Sequence, residues 1–106
     1  METVRLETSR IVDWATFHEV CAATFGFPGF YGRNMDAWID CMTYLDDGMS
    51  RFNLPPGEML MIEVAGFEDF QARLPELARA LTECCAFVNR RNADAGEPPR
   101  LALVLC

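Results

Sequence analysis

The spacing of apolar residues changes along this chain, and each change predicts an element. From Thr3 to Glu7 Val4 and Leu6 alternate with Arg5 and Glu7, which suits a short edge strand with one wet face. Asp13 then reads as the N-cap of a helix whose apolar face is Trp14, Phe17, Val20, Cys21 and Phe25. Val12 and Phe17 stand at the two positions of a hydrophobic staple, and Gly26 and Pro28 end the helix. A punctuated stretch, Phe27 to Arg33, delivers a second helix, with Asn34 as N-cap and Met35, Trp38, Ile39, Met42 and Leu45 as its apolar stripe. That helix is expected to run to about Leu45 and to be closed by Asp46-Asp47-Gly48, whose charges oppose its dipole.

Met49 to Gly57, rich in Asn, Pro and Gly, reads as a mobile insertion, with a cis bond open at Pro55-Pro56. Glu58 to Val64 is an almost unbroken apolar run, the mark of a central strand buried on both faces of a parallel sheet. Gly66 to Arg73 suits a short helix. Pro75 restarts a longer one with Leu77, Leu81, Cys84, Cys85 and Val88 as its buried stripe, fading near Arg90 to Asn92. After a polar loop to Pro99, Leu101 to Leu105 reads as a second buried strand. Strands joined by helical crossovers predict an α/β fold, a small parallel sheet packed against helices, with two helices in the first crossover.

At 106 residues the chain is expected to form one domain, 1–106, and to bury about 65% of its unfolded surface. A net charge of −7 argues against nucleic acid or an anionic membrane as direct partner and favours a basic protein. No apolar stretch approaches the ~20 residues of a membrane span, and the start of the chain does not read as a secretion signal, so a cytoplasmic protein is expected. Five cysteines, with Cys84 and Cys85 adjacent in a helical pattern, read as reduced and mostly buried.

Catalytic chemistry is thinly represented. His18 is the one histidine, a turn from Cys21, and reads as a boundary histidine beside a core thiol. No four-ligand zinc spacing, phosphate loop or nucleophile motif occurs, so neither a cofactor nor an enzyme is expected. Asp36, Asp40 and Thr43 fall at i, i+4, i+7 on a second face of the helix after Asn34, although like charges at i, i+4 repel by about 0.2–0.5 kcal/mol. Spacing alone favours an ordinary solvated face over a binding face. A hard-metal pair is a weaker reading, because nothing on a convex helix desolvates the carboxylates.

Within the thirteen positions from Tyr31 to Thr43, the run Tyr31-Gly32-x-Asn34-x-Asp36-Ala37-x-x-Asp40-Cys41-x-Thr43 resembles the barstar family. Members are small intracellular inhibitors that plug the active site of a secreted, barnase-type ribonuclease. The resemblance implies three parallel strands packed against about four helices, a basic ribonuclease or related toxin as partner, and a chain that is a monomer when free. It also implies a binding face of Phe30, Tyr31, Asn34, Asp36, Ile39, Asp40, Thr43 and Tyr44. On that face Asp40 would mimic phosphate, Asp36 would support it, Asn34 would fix the loop and Thr43 would offer a hydroxyl. Phe30 and Tyr31 are each either an aromatic anchor or a lid on the core. The chain departs from the family pattern at Ile39, where Trp is common, and at Tyr44-Leu45, where a Gly-Trp pair is usual. It also lacks an acid near Asn89 to Arg91, where a family acid reaches the enzyme. The alternative is an acidic interaction or immunity domain whose partner is not a ribonuclease.

Overall fold

A computed structural model describes residues 2–106. Strands β1 (Glu2–Glu7), β2 (Leu60–Ala65) and β3 (Leu101–Leu105) form one parallel sheet in the order β1-β2-β3. Helices α1 (Trp14–Phe25) and α2 (Met35–Thr43) fill the first crossover, and α3 (Phe67–Arg73) and α4 (Pro75–Asp94) the second. This is the expected α/β architecture, with β1 at an edge and β2 in the centre.

Register places Val4, Ile62 and Leu103 in one row and Leu6, Val64 and Leu105 in the next. Alternation then sends Val4, Leu6, Leu60, Ile62, Val64 and Leu101 into the core beneath the helices. The opposite face carries Thr3 and Arg5 in the open, with Met61, Glu63 and Ala102 half-buried. So β2 is buried on one face and half-covered on the other, not enclosed on both. Its unbroken apolar run misleads because Met61 sits on the outer face between Thr3 and Ala102. Strand β3 likewise is an edge and not a second buried strand: Leu101 is buried, but Leu105 is 53% exposed at the strand's end.

Local chemistry sets where the helices begin and end. Asp13 caps α1 by accepting the Thr16 N–H at 2.8 Å, while the Thr16 hydroxyl receives the Asp13 N–H at 3.0 Å and the Val12 N–H at 2.8 Å. The capping box is present, but the staple is not. Phe17 is in the core and Val12 is 61% exposed, because Thr16 already fixes the entry angle that a staple would set. Trp14, expected on the buried face, stands partly in solvent against the His18 ring. Pro75 opens α4, which runs to Asp94, past the expected fade; Leu77, Leu81, Cys85 and Val88 are buried, and Cys84 is half-exposed.

Helix α2 ends at Thr43, earlier than expected, and the chain continues through a wide turn at Leu45–Met49 with Gly48 at φ 81°. The Asp46 carboxylate there is structural: it accepts the Leu54 N–H at 3.1 Å and pairs with Arg100 at 3.0 Å. The segment after it is not a loose insertion. Phe52 and Leu54 are buried, the Arg51 N–H bonds the Phe25 carbonyl at 2.9 Å, and the Arg51 side chain bonds the Thr24 carbonyl at 3.0 Å. No peptide bond among the described residues is cis.

Candidate functional site

The surface around α2 is assembled by the loop before it. The Tyr31 N–H bonds the Pro28 carbonyl at 3.0 Å and closes a turn, and Phe27 packs on Tyr31 with ring centroids 4.7 Å apart. Tyr31 is only 9% exposed, and its hydroxyl lies 2.6 Å from His18 Nδ1. His18 is therefore not at a boundary but inside, tying α1 to the loop. Burial holds its imidazole below the usual histidine range, with the Arg33 charge adding to the effect. Burial also pushes the Tyr31 phenol well above the usual tyrosine range. We assign the hydrogen bond accordingly: a protonated phenol donates to the unprotonated Nδ1 of a neutral ring.

Arg33 turns the chain with φ at 55°, and the Asn34 side chain then accepts the Ala37 N–H at 2.8 Å. Asn34 also donates to the Gly32 carbonyl at 3.3 Å, so one side chain both caps α2 and pins the loop. Trp38 and Met42 are fully buried and hold the helix to the core. Among the described residues the Trp38 indole N–H has no conventional partner, but it partly opposes the burial that pushes the Cys21 thiol up to about 12. Burial likewise pushes the Cys85 thiol to about 12, and burial raises Cys41 and Cys84 as well. These four are poor nucleophiles.

What α2 leaves in solvent is acidic. Asp36 and Asp40 are exposed, Ile39 is half-buried between them, and the Thr43 hydroxyl donates to the Ile39 carbonyl at 2.7 Å. Tyr44 is 46% exposed at the far end and Phe30 is 76% exposed at the loop tip. The expected residues thus lie on the loop and α2, with one difference in kind: Tyr31 is a lid on the core, while Phe30 is free to touch a partner. Trp38 fills the core and Ile39 takes the outward position, so the outer surface there is aliphatic.

A family model described as Barstar (barnase inhibitor) matches residues 1–104. The chain belongs to the barstar family. No curated protein matches it. The match covers nearly the whole chain, whereas the dense motif lies on the loop and α2.

Sequence reasoning marked Asn89 to Arg91 for its missing acid but gave Arg91 no role on this barstar-family surface. Arg91 on α4 places Nη1 3.3 Å from Asp40 Oδ1, across the packing of α2 on α4. The signal was present in the spacing: Cys84, Phe87 and Arg91 recur at i, i+3, i+7 on one side of α4. Among the described residues, no group of three or more His, Cys, Asp or Glu side chains is placed to hold a metal ion, and no helix is long and apolar enough to cross a membrane.

Proposed function

We propose that this chain is a cytoplasmic inhibitor of a basic, barnase-type ribonuclease, and that it acts by laying α2 and the loop before it into the enzyme's cleft. A phosphate-binding cleft is lined with cations, and a carboxylate on a fixed helix substitutes for phosphate without being cleaved. Asp40 takes that role, Asp36 supports it, Asn34 fixes the loop, and Phe30, Ile39, Thr43 and Tyr44 supply the surrounding contact area. Tyr31 acts from behind, by holding the loop against His18. The observation that carries the reading is the exposure of two carboxylates on a helix whose other side is rigidly seated, in a family of barnase inhibitors. The unbridged thiols suit a reducing compartment.

The mechanism is obstruction, so the protein needs no cofactor and turns over nothing. Titrating a barnase-type ribonuclease with the protein, with RNA hydrolysis as the readout, should abolish activity at one inhibitor per enzyme. The protein alone should leave RNA intact with or without chelator. A second reading is an immunity or interaction domain for a partner that is not a ribonuclease; Arg91 beside Asp40, which dilutes the acidity of the face, favours it. Undiminished hydrolysis at excess inhibitor would favour that second reading.

A further inference from the structure

Arg91 alters what the acidic face will accept. Its Nη1 donates to Asp40 Oδ1 at 3.3 Å, yet Asp40 stays 60% exposed at the side chain and Arg91 36%. The pair is on the surface, where a partner must meet both charges together. Among the described residues Asp36 makes no ion pair, so Arg91 is the cation set into the α2 acidic stripe. The extension of α4 to Asp94 carries it there, with Val88 buried one turn earlier as the anchor.

We propose that Arg91 is a specificity-determining residue, which selects for a ribonuclease presenting a carboxylate or carbonyl beside its phosphate site and against one whose cleft offers cations alone. The inference rests on the inhibitor reading above. In the free protein the pair is solvated and weak. Docking removes that water, and a guanidinium cannot shed its charge. Against a cation-only cleft Arg91 then repels the groups that Asp40 attracts, and it also occupies one of the two Asp40 oxygens. A partner acceptor reverses the sign, because the planar guanidinium keeps donors free after bonding Asp40. Arg91 therefore sorts partners that Asp36 and Asp40 alone would treat as equivalent.

The test titrates a basic ribonuclease whose phosphate site is flanked by cations, with no carboxylate beside them, with wild type, Arg91→Gln, Arg91→Glu and Asp40→Ala, each first shown to melt like wild type. Arg91→Gln should tighten binding severalfold and Arg91→Glu by about tenfold or more, since removing and then reversing a like charge acts in graded steps. The gain should shrink at high salt, which a merely structural effect would not do. Arg91 variants that bind equally or more weakly would overturn the proposal. If Asp40→Ala is then weaker than wild type, the inhibitor reading survives and only the role of Arg91 falls; if Asp40→Ala is unchanged, both fall. Failure of every variant to bind, Arg91→Glu included, would also overturn it, since Arg91 would not be the obstacle.

Discussion

Replacing Asp40 by Ala removes a repulsion from Asp36 one turn away and adds a better helix former, but it also removes the Arg91 ion pair. Exposed pairs of this kind contribute about 0.2–1 kcal/mol, so the effects nearly cancel and stability should shift by less than ~1 kcal/mol. Binding should fall by about 2–5 kcal/mol, a range drawn in part from complexes of this family, because the partner's buried cation is left unpaired. Thermal melts beside a binding titration separate the two effects, with Phe17→Ala, fully buried, as a core control that should lose ~3–5 kcal/mol of stability. His18 makes the opposite kind of contribution, to the fold and not to contact. Its folded pKa lies below the unfolded value of about 6.5, so its contribution is complete above that pH and is lost as pH falls toward the lowered folded value. Melting temperatures from about pH 8 to about pH 5 should show that step in wild type and not in His18→Gln. The same step in both proteins would place the titrating group elsewhere.

Among the elements, the connection from α2 to β2 is the least as expected, and Gly26 shows why. Gly26 ends α1 with φ at 70°, and a Cβ there would lie 2.7 Å from the Arg51 Cβ, so the left-handed turn and the close approach of the 51–54 segment need the same glycine. Gly26→Ala should therefore cost about 1–3 kcal/mol. Gly48→Ala, also left-handed at φ 81° but open on all sides, should cost about 1–2 kcal/mol from backbone strain alone, and less than Gly26→Ala in parallel urea melts. Equal losses would mean that Arg51 does not press on Gly26. The spacing of turn residues marked Gly26 as a helix end, but which distant segment would fill the space beside it lies outside local pattern. The same boundary explains the other differences. Asn34, Pro75 and the α2 stripe were legible because their partners are within one turn; the exposure of Leu105, the seating of Phe52 and Leu54, and the Asp40–Arg91 pair depend on residues far along the chain. At the site, the type of each residue was readable and its use was not: Tyr31 reads equally as an aromatic anchor or a lid on the core until His18 is seen behind it.

For the molecule as a whole, the helices cover one face of a three-stranded sheet, and the packing of α2 against α4 brings the acidic stripe and Arg91 onto one surface. A net charge of −7 with Asp36 and Asp40 exposed on that surface should steer a cationic cleft toward it, and salt should screen the attraction within a Debye length of about 10 Å at 0.1 M. The five thiols are unbridged and four are buried or half-buried, so reductant should not be needed to expose the face. The most direct measurement is the association rate with a barnase-type ribonuclease at low and high ionic strength, for wild type and for the Asp36→Asn, Asp40→Asn double variant. The wild-type rate should fall steeply as salt rises, and the double variant should associate more slowly with a flatter dependence. A wild-type rate indifferent to salt, or a double variant indistinguishable from wild type at both salts, would contradict the assignment of α2 as the binding face.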